Sequence, residues 1–259
     1  MSFLKEVIKS KKSELEKSKK LLPITKLKSK LKKSELDFKS SISKNGLNII
    51  AEIKKASPSE GIIRKEFNHL EIAKIYAECP VSAISVLTEK KYFSGSIFFL
   101  SDIRNVVNIP LLRKDFIIDE YQIYESRHYG ADAILLILTI LGDNTIRRFI
   151  SLAKKYSMAC LVEAHNEEEV KRAIVCGADI IGINNRDLST LRMDKSTAER
   201  LVKLIPRDKT IVAESGYETK EEIIKLKGNV NAVIIGSSLM RAVDIKRQLK
   251  ELINRIYTT

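Results

Sequence analysis

The segment NIIAEIKKASPS, residues 48–59, decides the fold of this chain. Its first half is a β-branched apolar run that predicts a buried strand, and the Ser-Pro-Ser at its end predicts a loop. Glu52 and Lys54 lie two residues apart, so both side chains point to the same face of the strand. Because an isolated buried charge is costly, this carboxylate and this amine either form a structural ion pair or take part in chemistry. The segment alone favours the ion pair.

Seven more strand-like apolar runs follow, and helical patterns alternate with them. The predicted strands are Ile49–Ile53, Ala83–Leu87, Ile109–Leu112, Ala133–Ile137, Met158–Val162, Ile180–Ile183, Thr210–Ala213 and Ala232–Ile235. The predicted helices are His69–Cys79, Ser96–Val107, Asp119–Gly130, Asn144–Tyr156, Asn166–Cys176, Lys195–Ile205, Thr219–Lys227 and Met240–Ile256. Such alternation is typical of a parallel sheet covered by helices. Eight units in a chain of this length favour an α/β fold of the (β/α)8 TIM-barrel type over an open sheet, which usually carries a glycine-rich first turn.

An N-terminal segment precedes this repeat. Apolar residues recur at helical spacing from Phe3 to Leu15, which predicts an amphipathic helix that ends near Pro23. Weakly helical or irregular structure is predicted beyond it. We expect residues 1–47 to form a helical extension and residues 48–259 to form the barrel, within a single domain and without a second enzyme domain.

The net charge of +13 raises the question of a nucleic-acid partner. Residues 1–45 hold fourteen lysines and five acidic residues, a net charge of +9, which leaves +4 for the rest of the chain. Lysines without interleaved aromatic residues favour a solvated helical face over a base-stacking surface. We therefore expect no nucleic-acid partner.

Membrane and metal partners are also not expected. The sequence has no run of 18 apolar residues, and its lysine-rich start lacks the apolar core of a secretory signal. Three widely spaced cysteines indicate reduced thiols in a cytoplasmic protein. The three histidines lack metal-ligand spacing, so no metal is assigned. Asn166 with the three glutamates after it predicts a capped helix start that needs no catalytic role.

Chemistry-bearing side chains follow the carboxyl ends of the predicted strands, where a barrel of this type has its active face. They are Glu52, Lys54, Glu89, Arg113, Lys114, Asp115, Glu163, Asn184, Asn185, Arg186, Glu214 and Ser215. Charges at one end only are difficult to explain by packing. Ser215-Gly216 and Gly236-Ser237 follow the last two strands, where backbone N–H groups bind phosphate in such barrels. An ordinary loop is the alternative for either pair alone.

Seven segments, in chain order, resemble the strand-end motifs of the indole-3-glycerol phosphate synthase family. They are IIAEIKKASPS, SVLTEKKYFSGS, LRKDFIID, LVEAHNEEE, GINNRDL, VAESGY and IGSSLM, over about residues 48–245. The resemblance implies a cytoplasmic carboxy-lyase of tryptophan biosynthesis that needs no cofactor. It implies ring closure of 1-(2-carboxyphenylamino)-1-deoxyribulose 5-phosphate, a small phosphorylated substrate, to indole-3-glycerol phosphate with loss of CO2 and water. We expect a monomer in preference to an oligomer.

The resemblance also implies residue roles. Lys114 is the general acid that protonates the carbonyl oxygen, for which a pKa lowered by a cationic surrounding is expected. Glu163 and Lys54 serve the later dehydration, and which of them is the acid is left open. The other implied catalytic residues are Glu52, Asn184, Glu214 and Ser215. The implied substrate-binding residues are Ser57, Gly216, Gly236 and Ser237 at the phosphate, Arg186 at the anthranilate carboxylate, and Leu87, Phe93, Phe116, Leu135 and Leu188 around the aromatic ring.

Two other functions stay open at this point. Another phosphate-binding barrel, an isomerase of the same pathway, would need an Asp/Cys acid–base pair in place of the Lys/Glu set. A basic module for nucleic acid or an acidic partner would use the lysines of residues 1–45, with the barrel as its scaffold. Tyr217 departs from the resemblance, because an aliphatic residue is usual there.

Overall fold

A computed structural model describes residues 3–253, apart from the side chain of Lys30. Eight parallel strands close into a barrel in the order β1-β8-β7-β6-β5-β4-β3-β2. They are β1 (Asn48–Ile53), β2 (Ala83–Leu87), β3 (Leu111–Lys114), β4 (Ala133–Ile137), β5 (Ala159–Ala164), β6 (Ile180–Asn184), β7 (Thr210–Glu214) and β8 (Ala232–Ile235). This closed barrel confirms the predicted (β/α)8 fold.

Alternation along each strand builds two apolar layers. Ile50 of β1 faces the lumen, where it packs with Leu161 and Val212 from across the barrel. Its neighbours Ile49 and Ala51 face outward into the larger core between strands and helices. The register of β1 against both neighbours, with Ile50 opposite Ala83 and Ile234, places the strand ends at one level around the mouth.

Twelve α-helices lie within the described range. They are α1 (Phe3–Leu21), α2 (Ile24–Lys30), α3 (Phe38–Ile42), α4 (His69–Ala77), α5 (Phe98–Arg104), α6 (Glu120–His128), α7 (Asp143–Lys155), α8 (Glu167–Val175), α9 (Ser196–Leu201), α10 (Lys220–Ile224), α11 (Ser237–Arg241) and α12 (Ile245–Ile253). A 3₁₀ turn, Val202–Leu204, extends α9. None of the helices between residues 3 and 253 is long and apolar enough to cross a membrane.

Most predicted elements differ from the structure by a few residues at their ends, and two of the differences have a clear physical reason. The third strand begins at Leu111 and not at Ile109, because Pro110 has no N–H to give to the sheet. The single helix predicted over Met240–Ile256 is wrong, since Ala242 is extended and Asp244 caps a new helix by accepting the Arg247 N–H at 2.9 Å. Residues 254–256 of that prediction lie outside the described residues.

Two features outside the eight units shape the mouth of the barrel. Ala56–Ser57 pairs with Gly61–Ile62 in a short antiparallel ribbon after β1, which the sequence did not predict. Helix α1 ends at Leu21, close to the predicted Pro23, and lies against the barrel with Leu4, Val7 and Leu15 buried.

Candidate active site

One cleft at the carboxyl ends of the strands is lined by all the catalytic and substrate-binding residues that the resemblance implies, whereas Arg113 and Asn185 of the predicted strand-end set lie outside it. Its empty space is about 1110 Å³, including the part open to solvent. The predicted residues that line it are Glu52, Lys54, Ser57, Leu87, Phe93, Lys114, Phe116, Leu135, Glu163, Asn184, Arg186, Leu188, Glu214, Ser215, Gly216, Gly236 and Ser237. Across residues 3–253, no three His, Cys, Asp or Glu side chains converge closely enough to hold a metal ion.

Lys114, the last residue of β3, lies at the centre of this cleft. Its Nζ atom is 3.0 Å from Glu163 Oε2 and also contacts Glu214 Oε2. Strands β5 and β7 deliver these carboxylates from two other sides of the barrel, and each residue is only 1% exposed. The ammonium group therefore lies between two buried acids, with its free side toward the cleft.

The pKa of Lys114 is raised, so the prediction of a lowered pKa is wrong. Burial lowers the pKa of this amine, but the charges of Glu163 and Glu214 outweigh burial and raise it above its usual value. Lys54, the other amine of the cleft, is paired with Glu52, with Lys54 Nζ 3.0 Å from Glu52 Oε1, which confirms the ion pair that residues 48–59 favour. Three acidic side chains surround the two amines, and Lys114 is therefore held as an ammonium ion.

The two acids beside Lys114 have opposite pKa shifts. Burial raises the pKa of both, but for Glu163 the Lys114 charge reverses the effect and lowers the pKa below its usual range. For Glu214, burial and the nearby Glu163 charge raise the pKa to about 8 although Lys114 opposes the rise. At neutral pH the cluster thus holds an ammonium, a carboxylate and a carboxylic acid. Such separated values are typical of acid–base sites.

One buried oxygen of this cluster, Oε1 of Glu214, has no hydrogen-bond partner among the residues that the structure describes. Oε1 of Glu163 faces the His165 ring and lies 3.2 Å from its Nε2 atom. Buried polar atoms are normally satisfied, and exceptions occur at sites that await a ligand or take part in catalysis. The incomplete pairing of Glu214 therefore indicates a cluster suited to acid–base chemistry.

The end of the cleft that is predicted to bind phosphate holds a carboxylate that the sequence did not predict. Ser215 and Gly216 adopt left-handed backbone angles, φ 65° and 86°, which turn the loop after β7 sharply. Ser237 Oγ donates a hydrogen bond to Glu60 Oε1 at 2.7 Å, and Arg241 also pairs with Glu60. Glu60 comes from the ribbon after β1, so the hydroxyl assigned to phosphate already holds an internal anion.

Gly236 has a packing role besides any contact with phosphate. A Cβ atom at this position would lie 2.5 Å from Oε1 of Glu52. A side chain here would therefore displace the carboxylate that pairs with Lys54. Because Gly236 has no side chain, the Gly236 backbone at the end of β8 and the Glu52 carboxylate of β1 can lie next to each other at the mouth of the barrel.

The apolar wall of the cleft includes a residue from outside the barrel. Phe3 of α1 lines the cleft and packs edge-on against Tyr92, with ring centroids 5.0 Å apart. Sequence analysis placed Phe3 on the apolar face of an amphipathic helix, and only the docking of that helix puts it at the site. Arg186 donates to the Leu191 carbonyl at 3.0 Å, and Asn184 Oδ1 accepts the Arg186 N–H at 2.9 Å, so both shape the loop after β6.

Comparisons with known proteins agree with this arrangement. A family model described as "Indole-3-glycerol phosphate synthase" matches residues 4–252. A protein of that name from Caldanaerobacter subterraneus subsp. tengcongensis is 47% identical over 255 residues, which is 98% of this chain and 98% of that protein. Another, from Endomicrobium trichonymphae, is 51% identical over 222 residues, 85% of this chain and 86% of that protein.

A solved structure is similar in fold. The thiamine phosphate pyrophosphorylase from Pyrococcus furiosus superposes with a TM-score of 0.59 at 16% identity, over 82% of this chain and 98% of that chain. At this identity the likeness concerns the barrel alone.

Proposed function

The chain belongs to the indole-3-glycerol phosphate synthase family, and from this premise we propose that Lys114, Glu163 and Glu214 supply its acid–base chemistry. The protein is a carboxy-lyase of tryptophan biosynthesis. It closes 1-(2-carboxyphenylamino)-1-deoxyribulose 5-phosphate to indole-3-glycerol phosphate and releases CO2 and water. The observation that carries the residue assignment is the Lys114 ammonium, which lies between two buried acids and faces the cleft.

Lys114 acts in the first step. The ring carbon that bears the carboxylate attacks the ketone carbon, a carbon–carbon bond forms, and the ketone oxygen takes a proton from Lys114. Glu163 and Glu214 keep the amine protonated before the step. The oxygen becomes strongly basic as the bond forms, so even a lysine with a raised pKa is a competent donor.

Decarboxylation requires no protein acid. The bond to the carboxylate breaks, its electron pair returns to the ring, and aromaticity is restored. Phe93, Phe116, Leu135 and Leu188 line this part of the cleft. An apolar surrounding favours loss of the carboxylate because neutral CO2 needs less solvation than the charged group.

Dehydration needs a base and an acid, and the geometry favours Glu163 as the base and Lys54 as the acid. Glu163 is ionised and lines the cleft. It takes the proton from the carbon next to nitrogen, while Lys54 gives a proton to the departing hydroxyl. Glu52, 3.0 Å from Lys54 Nζ, holds that amine in place. Since the substrate carboxylate leaves as neutral CO2, each turnover takes up one proton from solvent.

The substrate phosphate is proposed to bind at Ser57, Gly216, Gly236 and Ser237, and Arg186 to face the anthranilate carboxylate. None of the cysteines in the described part of the chain lines the cleft, which argues against the Asp/Cys isomerase. A cytoplasmic location, a monomer and the lack of nucleic-acid or membrane partners stay proposals that rest on the sequence.

The activity is tested with purified protein and the ribulose phosphate substrate. Indole fluorescence should grow with time, with one CO2 released per indole formed. Protein that binds the substrate but yields neither fluorescence nor CO2 would contradict the proposed function.

A further inference from the structure

His165 lies behind the Glu163 carboxylate and outside the cleft. Its Nε2 atom is 3.2 Å from Glu163 Oε1, and its Nδ1 atom is 3.0 Å from Glu169 Oε2. The other oxygen of Glu169 accepts a hydrogen bond from Thr139 Oγ1 at 2.8 Å. The imidazole ring is therefore enclosed between a carboxylate of the active site and a carboxylate of helix α8.

The start of α8 fixes this ring. Glu169 Oε2 also accepts the backbone N–H of His165 at 2.8 Å, and the Asn166 side chain accepts the N–H of Glu169 at 2.9 Å. Sequence analysis gave all three glutamates of this turn to the helix dipole alone. Glu169 differs from Glu167 and Glu168, because it is buried whereas the other two are exposed. Its carboxylate is directed inward at His165.

Acidic side chains lie on both sides of His165, and no second cation among residues 3–253 is recorded in contact with it. Glu163 faces it from its own strand and Glu169 from α8, while Thr139, after β4, is neutral. Lys114 and Glu214 lie on the far side of Glu163. Burial lowers the pKa of His165, but its contacts with Glu163 and Glu169 outweigh burial and raise it to about 10. The ring is therefore an imidazolium at neutral pH.

We propose that His165 is a positioning residue, a buried imidazolium that holds Glu163 ionised and fixes its carboxylate between the ring and Lys114. The inference rests on the proposed role of Glu163 as the base of the dehydration. Lys114 loses its positive charge when it protonates the ketone. His165 keeps its charge through that step, so Glu163 remains a carboxylate until the proton of the later step reaches it.

The ion pair is tested in the intact protein without any activity measurement. The chain has three histidines, so their ring resonances are separable in an NMR titration. We expect His165 to stay protonated beyond pH 8, and Glu163→Gln to lower its pKa by about 1–3 units, as loss of a close opposite charge does. His69, which pairs with Asp102 at 2.9 Å outside the cleft, serves as the internal reference. A His165 that titrates near its ordinary value in both proteins would overturn the proposal.

The effect on catalysis is tested with His165→Gln. Loss of the cation raises the pKa of Glu163, so the acidic side of the pH profile of kcat (the acid limb) should move up by about one pH unit or more. KM should stay within twofold of the wild-type value. Glu169→Gln should move the limb in the same direction by less, and His69→Asn should leave it unchanged. A uniform fall in kcat with a lower Tm and an unmoved limb would reduce His165 to a structural residue.

Failure of the underlying assignment gives a different result. A wild-type kcat in Glu163→Gln would refute both the assignment of Glu163 as the base of the dehydration and the role inferred for His165. A large loss of kcat in Glu163→Gln with an unmoved acid limb in His165→Gln would overturn the inference alone.

Discussion

Lys114 and Asp115 are consecutive residues whose side chains enter two different buried charge clusters. Lys114 points into the mouth of the barrel and meets Glu163 and Glu214. Asp115 lies 2.8 Å from Lys11 Nζ of helix α1 and 3.0 Å from Arg113, which in turn pairs with Glu125. We call these the Lys114 cluster (Lys114, Glu163, Glu214) and the Asp115 cluster (Lys11, Arg113, Asp115, Glu125).

The difference between the two clusters is hydrogen-bond satisfaction and access. Both oxygens of Asp115 have partners, since Thr88 donates at 2.6 Å in addition to Lys11 and Arg113. In the Lys114 cluster one oxygen of Glu214 has no hydrogen bond from the described residues, and all three members line the cleft. Of the Asp115 cluster, Asp115 lines the cleft and the other three members do not. Burial of charge alone is therefore weak evidence of catalysis. Incomplete pairing beside a cleft is stronger evidence.

Lys114→Ala gives the largest expected effect and tests the catalytic side of the comparison. A lost general acid lowers the rate by about 10²–10⁴, or roughly 3–5 kcal/mol of barrier. Turnover is measured by indole fluorescence, and binding by titration with the reduced, unreactive substrate analogue, whose affinity should be kept. Unchanged kcat would remove Lys114 from the mechanism.

Asp115→Asn tests the structural side. Its loss leaves two buried cations with fewer partners, and breaking a buried pair costs about 3–5 kcal/mol of unfolding free energy. Denaturant unfolding measures this loss, and kcat of the folded protein should fall less than tenfold. Asp119→Asn is the matched control, because Asp119 pairs with Lys19 of helix α1 at 2.8 Å but its side chain is 36% exposed. Asp119→Asn should lower the free energy of unfolding by about 0–1 kcal/mol. Equal losses in both variants would erase the distinction.

The pH dependence of stability should have opposite signs for the two clusters. Burial raises the pKa of Asp115, but the charges of Lys11 and Arg113 lower it to about 2. Its contribution, about 2–3 kcal/mol, is therefore present above about pH 4 and lost as the pH falls toward 2. Glu214 has a pKa raised to about 8. Its contribution is present below the unfolded pKa of about 4.3 and is lost as the pH rises toward 8.

Unfolding across pH 2–9 in Asp115→Asn and Glu214→Gln checks both signs. Asp115→Asn should lose the most stability, relative to wild type, above pH 4 and little near pH 2. Glu214→Gln should become more favourable relative to wild type as the pH rises. Parallel stability curves for both variants would show that neither carboxyl titrates as described.

Glu60→Gln gives the smallest expected effect and concerns an exposed pair. Glu60 accepts the hydrogen bond of the Ser237 hydroxyl at the predicted phosphate end of the cleft. Removal of the Glu60 charge should therefore tighten the binding of inorganic phosphate about two- to fivefold, which corresponds to the free energy of an exposed ion pair. Calorimetric titration measures the affinity. Glu66→Gln, which removes an exposed acid of the same loop, is the control. Weaker phosphate binding in Glu60→Gln would mean that Glu60 supports the anion site.

Structural features that depend on the residues of one continuous segment were predictable from the sequence. The bounds of β2, β4 and β8 match the prediction because apolar runs with polar flanks mark both ends. The catalytic and substrate-binding residues that the resemblance implies share one cleft because a closed parallel barrel brings every carboxyl strand end to the same mouth. The sequence predicts that Arg113 and Lys114 follow β3, but the strand includes both residues and ends at Lys114. Polar residues can continue a strand when their side chains have charged partners nearby.

Features that depend on pairing between distant segments were not predictable. Nothing in the helical pattern of residues 3–21 indicates that Lys11 pairs with Asp115. Likewise the contact of Glu60 with Ser237 joins residues far apart in the chain. The sign of the Lys114 pKa shift depends on the number of acids within reach. These quantities require coordinates.

The most direct test of the Lys114 cluster is a crystal structure with the reduced substrate analogue, in which a hydroxyl replaces the ketone. We expect the hydroxyl oxygen of the analogue to lie within about 2.7–3.2 Å of Lys114 Nζ, and its phosphate to contact Gly216, Gly236 and Ser237. An analogue whose hydroxyl is directed away from Lys114, with Glu163 and Glu214 untouched, would contradict this expectation.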